Sequence, residues 1–203
     1  MSTTLLLSAN YLPAVSYFHA IHQQKADLLI EKHEHYPKQT YRNRARIATA
    51  NGILDLTVPI VHGRKDHVPM QDIQINYDHD WQRLHWLSIQ TAYRSSAYFE
   101  YYEDDFAGFY EQKSTYLLDF NMQQLELILK ILKMSPKINF TERYEKIYTD
   151  VEDYRARIHP KKTSVFQNPK PYYQVFEERH GFLPDLSIID LIFNQGPQSK
   201  NYL

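Results

Sequence analysis

The dipeptide Asn51-Gly52 is the feature of this sequence that most limits how the chain can fold. Both central residues of a type I′ turn need a positive φ angle, and Asn-Gly is the pair that tolerates this best. The sequence therefore predicts a β-hairpin from residues 42–50 and 53–61. A two-residue loop fixes the register, so that Ala50 pairs with Ile53 and Ile47 pairs with Leu56.

This register gives the hairpin two unlike faces. One face is apolar and is expected to pack on the core, although it also holds Asn43, which needs hydrogen-bond partners if it is buried. The other face aligns Arg42, Arg44 and Arg46, whose guanidinium groups can hold a phosphate or carboxylate. The alternative is a solvated, charged face that prevents aggregation. We favour that alternative for Arg46 and ligand binding for Arg42 and Arg44.

The N-terminal part of the chain predicts a strand, a loop and a helix, followed by a second strand. Residues 4–9 are short and apolar, residues 10–13 form the loop, and residues 14–24 carry apolar side chains at near-helical spacing. Residues 27–35 begin apolar and turn polar. If this second strand persists, its last residues share one face, namely Glu31, His33 and His35.

The later part of the chain is mainly helical. Residues 80–132 predict three successive helices. Residues 137–170 are polar and, from Arg155 on, contain five Lys or Arg and no acid, which is typical of a connector. A last apolar helix covers residues 188–193, and the Asp190 carboxylate is expected to accept hydrogen bonds from the free backbone N–H groups at its start.

Together these elements predict an α/β protein with a small mixed sheet, built from the N-terminal strand-helix unit and the β-hairpin and followed by a helical block. We expect residues 1–203 to form a single domain with a polar, basic connector at about 137–170. The alternative is a separate C-terminal domain after the connector.

The composition excludes several classes of site. The chain has no cysteine, which excludes thiolate nucleophiles, disulfides and Cys-ligated metals. Its five glycines lie too far apart for a phosphate-binding loop or a nucleophile elbow. The net charge of -1 gives no reason to expect a nucleic-acid partner, and no apolar run reaches the roughly 18 residues of a membrane span. We expect a cytoplasmic protein of unknown cofactor and oligomeric state.

Several segments carry motifs of a known family. They are Asn10-Tyr11-Leu12-Pro13, Ser16-Tyr17-Phe18, Tyr36, Tyr41-Arg42-Asn43-Arg44, Trp81 with His85-Trp86, and Gly181-Phe182-Leu183-Pro184-Asp185-Leu186-Ser187-Ile188-Ile189-Asp190-Leu191. In these motifs the chain resembles the bacterial WbqC-like family, from about Leu5 to the C-terminus. It departs from the pattern at Asn10, where many members have Pro, and at Tyr41, where they have Trp.

The resemblance carries functional expectations. The family is associated with surface polysaccharide (O-antigen) gene clusters, and it has been suggested to include glycine or other acyl transferases. The resemblance therefore implies an acyl or aminoacyl transferase that acts on a sugar and binds an activated acyl donor or a sugar nucleotide. The alternatives are a non-catalytic protein that binds a nucleotide-sugar or glycan, and a protein-interaction module.

The candidate catalytic residues are His33 and His35. A histidine with a pKa near 6.5 can act as a general base, and a neighbouring carboxylate can orient it. The alternative is a solvated strand edge. Two alternating histidines also suit a metal, but no third ligand has a known position, and no metal site is predicted.

A ligand pocket is expected where the first strand meets the first helix. In α/β proteins, ligands bind outside the C-terminal ends of such strands, where a helix N-terminus favours an anion. Arg42 and Arg44 are expected to contact a phosphate or carboxylate, and Tyr41 and Asn43 are further candidate ligand-binding residues. The predicted lining is Asn10, Tyr11, His33, His35, Arg42 and Arg44.

Two further features are expected to have mainly structural roles, and a third is a candidate lid. Residues 98–111 combine seven aromatic residues with five acids, which fits a sugar-binding surface but is more typical of a helix packed on the core. His85 is expected in the core. Residues 62–67 are polar and form a candidate lid.

Overall fold

The computed structural model describes residues 4–61 and 67–203. In this part of the chain six strands form two sheets. The strands are β1 (Thr4–Ser8), β2 (Asp27–Glu31), β3 (Arg44–Thr49), β4 (Gly52–Thr57), β5 (Ile138–Phe140) and β6 (Glu152–Asp153). One sheet is parallel, with the order β5-β2-β1-β6, and the other is the antiparallel hairpin β3-β4.

The helices that pack on these sheets lie mostly where the periodicity predicts them. The helices are α1 (Val15–Gln24), α2 (Trp81–Tyr93), α3 (Phe99–Glu111), α4 (Leu117–Ile131), the single turn α5 (Glu177–His180) and α6 (Ile188–Gln195). No helix in the described ranges is long and apolar enough to cross a membrane.

The two central strands are the most apolar segments of the parallel sheet. Leu5, Leu6, Leu28 and Ile30 are fully buried, as expected for parallel strands that are covered on both faces. The edge strands come from the polar segment that we predicted as a connector. An edge strand of two or three residues needs backbone pairing but no apolar pattern, so the sequence gives no signal for it.

The α/β class, the strand-helix unit, the hairpin and the helical block are thus confirmed. The strands, however, are divided between two sheets, because the hairpin pairs only with itself and the parallel sheet is completed by β5 and β6.

The hairpin forms at Asn51-Gly52, but its register differs from the predicted one by two residues. Ala45 pairs with Leu56. Within the turn only Gly52 has a positive φ, of 105°, which is typical of a turn followed by a glycine bulge and not of type I′. Because a shift of two residues keeps every side chain on its face, Ala45, Ile47 and Leu56 are buried as predicted.

The second strand ends earlier than predicted. β2 stops at Glu31, and the chain then turns to pair with the segment around residue 70. The backbone N–H of Met70 donates to the Glu34 carbonyl (2.9 Å), and that of Gln71 donates to the Lys32 carbonyl (3.0 Å). The expectation that Glu31, His33 and His35 share one strand face is therefore wrong.

The aromatic segment is a helix that packs on the core. Phe99, Tyr102, Phe106 and Tyr110 of α3 are buried, whereas Tyr101 is 75% exposed. His85 is buried as expected.

Asp190 is buried at the first turn of α6, but it does not cap the helix as predicted. Its carboxylate accepts hydrogen bonds from the hydroxyls of Tyr93 (3.0 Å) and Tyr172 (2.8 Å) and from Gln174 Nε2 (2.9 Å). The side chain points into the core because the helix has almost no polar face. Burial raises the pKa of Asp190 to about 6, although the three hydrogen bonds favour its ionised form.

Candidate functional site

A polar cavity of about 450 Å³ lies at the C-terminal edge of the parallel sheet. The strands β1, β2 and β6 end beside it, which is where ligands bind in open parallel sheets. We call this cavity the edge cleft. Its polar lining consists of Glu34, His35, Thr40, Arg42, Tyr144, Lys146, Asp153, Arg155 and His159.

Arg42 is anchored at the floor of the edge cleft. Its Nε donates to Glu34 Oε1 and its Nη2 to Glu34 Oε2, both at 2.7 Å. Nη2 also donates to Ser8 Oγ, at the end of β1, at 2.5 Å. Nη1 has no hydrogen-bond partner within the described residues. Since Arg42 lines the cavity, Nη1 is the donor that remains for a ligand.

Arg155 is the second arginine of the edge cleft, and its guanidinium is saturated by the protein. Nη2 donates to Asp153 Oδ2 (2.6 Å), and Nη1 donates to Glu31 Oε2 (3.1 Å) and to the Glu145 carbonyl (3.0 Å). Burial alone raises the pKa of Asp153, but the hydrogen bonds and charge of Arg155 bring it below its ordinary value. Arg155 therefore has a structural role.

The fully buried Glu31 carboxylate explains why Arg155 is needed there. Besides Arg155, it accepts hydrogen bonds from Thr141 Oγ1 (2.9 Å), from the Tyr148 hydroxyl (3.1 Å) and from the backbone N–H of His33 (2.9 Å). A buried charge persists in a fold only when it is paired and hydrogen-bonded. Glu31 thus ties the chain between β5 and β6 to the end of β2.

His159 lines the edge cleft with a defined tautomer. Its Nδ1 accepts a hydrogen bond of 3.1 Å from the backbone N–H of Lys161, so the neutral ring carries its proton on Nε2. Burial lowers the pKa of His159, and the charges of Lys162, Arg42 and Lys161 lower it further. At neutral pH this side chain can donate a hydrogen bond from Nε2.

Of the two predicted catalytic histidines, only His35 lines the edge cleft. It is exposed, and its ring centroid lies 5.0 Å from that of His67. His33 is half-buried, and its Nε2 is a buried nitrogen without a partner in the described chain. Because β2 ends at Glu31, the two rings do not share a strand face, and they do not line the same cavity.

Arg44 and Asn43 lie apart from Arg42. They line another cavity, of about 470 Å³, that also includes Tyr36 and His79. The separation arises because β3 begins only at Arg44, so Arg42 precedes the strand and does not follow its alternation.

The contacts of this predicted group are mainly structural. Arg44 Nη1 and Arg46 Nε each lie 3.3 Å from an oxygen of Asp55. Asn43 Nδ2 donates to the Val58 carbonyl at 2.8 Å.

The first loop is part of the core. The Tyr11 hydroxyl is hydrogen-bonded to His85 Nδ1 (3.0 Å) and to the Tyr110 hydroxyl (2.9 Å). Asn10 and Tyr41 are also buried, and none of the three lines the edge cleft. The predicted single pocket is therefore not formed: of its six residues, only His35 and Arg42 come together.

The N-terminus of α1 is occupied by the protein's own carboxylate. Asp185 Oδ1 accepts a hydrogen bond of 2.8 Å from the backbone N–H of Ser16, and Ser187 Oγ donates to the Leu12 carbonyl at 2.9 Å. The expected ligand anion at this helix end is thus replaced by Asp185.

Sequence reasoning missed Glu34, Tyr144, Lys146 and His159 as lining residues. The run of basic residues from Arg155 was visible, but its position beside the sheet depends on β6, which has no sequence signal. The candidate lid lies almost wholly outside the described residues, which resume at His67. Within the described ranges, no three His, Asp or Glu side chains are grouped as metal ligands.

Comparison with known proteins supports the resemblance. A model of the WbqC-like protein family matches residues 9–159, which include every residue of the edge cleft, whereas the motif at 181–191 lies beyond the match. An uncharacterised protein of Mycobacterium tuberculosis is 26% identical over 231 residues, covering 100% of this chain and 98% of the relative. No solved structure matches the chain. Because the family match covers well over half of its length, this chain belongs to the WbqC-like protein family.

Proposed function

We propose that this protein binds an anionic small molecule in the edge cleft and transfers a group from it. The observation that carries the proposal is Arg42, whose Nε and Nη2 are held by Glu34 while Nη1 has no partner in the described chain. An arginine fixed in this way is ready to donate to a phosphate or carboxylate without losing side-chain entropy on binding.

Two other groups of the edge cleft support an anionic ligand. Lys146 is exposed and makes no ion pair within the described residues. His159 presents Nε2–H as a further donor. The acids beside them, Glu34 and Asp153, are already paired with Arg42 and Arg155.

The transfer step rests on His35, the exposed imidazole of the edge cleft. In an acyl transfer, the amine or hydroxyl of a sugar acceptor attacks the acyl carbon, the bond to the leaving group breaks, and His35 takes the proton of the attacking group. Arg42 and Lys146 hold the anionic donor. The acyl donor and the sugar of a surface polysaccharide are what the family resemblance implies.

The binding claim is tested by calorimetry with inorganic pyrophosphate. The double variant Arg42→Met/Glu34→Gln removes the donor but keeps the charge balance and volume, and it should bind pyrophosphate at least about tenfold more weakly, the scale of a charge-assisted hydrogen bond. The matched control is Arg44→Met/Asp55→Asn, an exposed pair outside the edge cleft, which should bind like the wild type. Equal binding by both double variants would overturn the proposal.

The transfer claim needs the natural ligand. Mass spectrometry of small molecules released from the purified protein should identify an anionic donor, and His35→Gln should still bind it but lose turnover. Binding without turnover in the wild type, with every sugar acceptor tried, would favour the non-catalytic alternative.

A further inference from the structure

Tyr144 is an exposed aromatic ring in a cleft whose other lining residues, apart from Pro37 and Ala156, are polar. It is 52% exposed and lines the edge cleft together with Arg42 and Lys146. Exposed aromatic rings beside cations are typical of sites that bind a ring and a negative charge together.

One side of the Tyr144 ring faces Arg155. The guanidinium carbon lies 5.5 Å from the centroid of the Tyr144 ring and 5.0 Å from that of the Tyr148 ring. Arg155 itself is fixed by Asp153 and Glu31. The Tyr144 ring is therefore supported on one side by a rigid group, while about half of the residue's surface remains exposed.

The segment that carries Tyr144 also carries a charge for the ligand. Lys146 follows two residues later and lines the same cavity. The backbone between them is held in place, because the carbonyls of Glu145 and Lys146 accept hydrogen bonds from Arg155 Nη1 (3.0 Å) and Nη2 (3.3 Å). Ring and cation are thus presented on one ordered piece of chain.

The size of the edge cleft exceeds the needs of a simple anion. A volume of about 450 Å³ is within the range of sites for small organic molecules, roughly 300–1,000 Å³. A phosphate group at Arg42 leaves room for a larger substituent that can reach Tyr144.

We infer that the ligand of the edge cleft is a nucleotide, whose base stacks on Tyr144 and whose phosphates contact Arg42 and Lys146. This inference rests on the proposed function and narrows it, because a small acyl phosphate or a carboxylate has no ring to place on Tyr144. A sugar phosphate also joins a phosphate to a ring. The experiment therefore distinguishes a nucleotide from a sugar phosphate.

The test measures binding of uridine diphosphate, ribose 5-phosphate and inorganic pyrophosphate by calorimetry. Stacking of a base on an aromatic side chain contributes about 1–3 kcal/mol, so Tyr144→Ala should weaken binding of uridine diphosphate by about 5-fold to 150-fold. Binding of pyrophosphate should change by less than about twofold. Tyr144→Phe keeps the ring and should bind like the wild type.

The matched control is Tyr101→Ala, which removes an even more exposed tyrosine from α3, away from the edge cleft. It should leave all three affinities unchanged. Melting curves of both alanine variants show whether the fold is retained.

The remaining outcomes separate this inference from the proposed function. If uridine diphosphate and pyrophosphate bind equally well, and substitution of Arg42 but not of Tyr144 weakens their binding, the anion site is supported and the nucleotide is rejected. If ribose 5-phosphate binds as tightly as uridine diphosphate, the ring is a sugar and the inference fails. If none of the three binds, both proposals are overturned.

Discussion

Arg42 and Glu34 form two parallel hydrogen bonds of 2.7 Å in which both side chains are nearly buried, with 5% and 10% of their surfaces exposed. The pair joins the segment that follows β2 to the segment that precedes β3. It also connects with β1 through Ser8 Oγ. One ion pair thus fixes the floor of the edge cleft and leaves Arg42 Nη1 without a hydrogen-bond partner among the residues that the structure describes.

Removing one partner of this ion pair should lower the free energy of unfolding more than removing both partners. Arg42→Met leaves the Glu34 carboxylate nearly buried without a partner, and the free energy of unfolding should fall by about 3–5 kcal/mol. Adding Glu34→Gln removes the stranded charge and should restore most of that loss. Urea unfolding of the two variants checks this order, and a double variant as unstable as the single one would contradict it.

Asp190 should make the protein less stable as the pH rises from about 4 to 6. Burial raises the folded pKa to about 6, above the ordinary value of 3.8, so its contribution is fully present below pH 4 and is lost as the pH rises through 6. Two pKa units correspond to about 3 kcal/mol. Asp190→Asn should remove this dependence. The difference in the free energy of unfolding between the variant and the wild type should therefore change by about 3 kcal/mol between pH 4 and pH 7.

His85 should have the opposite effect on stability, because its contribution is lost as the pH falls. Burial lowers its pKa to about 4, although the backbone oxygen of Thr57 opposes this. Protonation thus favours the unfolded chain, and stability present above about pH 6.5 is lost as the pH falls towards 4, by about 3 kcal/mol. His85→Gln keeps an acceptor for the Tyr11 hydroxyl and should be less sensitive to acid than the wild type. Parallel pH profiles for the two proteins would show that His85 is not desolvated.

The parts of the fold that the sequence predicts are those with a strong local pattern. Asn51-Gly52 indicates the hairpin, the leucine runs indicate β1 and β2, and helical spacing indicates α2 and α4. The dipeptide alone does not determine the register of the hairpin, because it suits both a type I′ turn and a turn with a glycine bulge. The edge strands β5 and β6 are not predictable, since their stability comes from backbone pairing with distant strands.

The residues of the candidate site also divide into those that a sequence pattern predicts and those that it does not. The motif predicts Arg42 as a ligand-binding residue, and the polar end of the expected second strand predicts His35 as a catalytic base. Glu34, Lys146 and His159, which line the same cleft, lie in segments without a periodic pattern. Lys146 reaches the sheet edge through the crossing from β5 to β6, and His159 through the chain that follows β6. Asn10, Tyr11 and Tyr41 lie in the motif segments but are buried in the fold, and a motif does not distinguish packing from ligand contact.

The pKa of His159, followed by NMR during titration with inorganic pyrophosphate, is the most direct test of whether the edge cleft binds an anion. Burial and the neighbouring cations keep that pKa low in the free protein, and a bound anion should raise it by stabilising the imidazolium. His22 is the control, because its pKa is also lowered by burial and nearby lysines, but it lines a separate cavity beside the N-terminal end of β2. The account predicts a rise for His159 that saturates with pyrophosphate and no change for His22. An unchanged His159, or a rise at His22 alone, would contradict it.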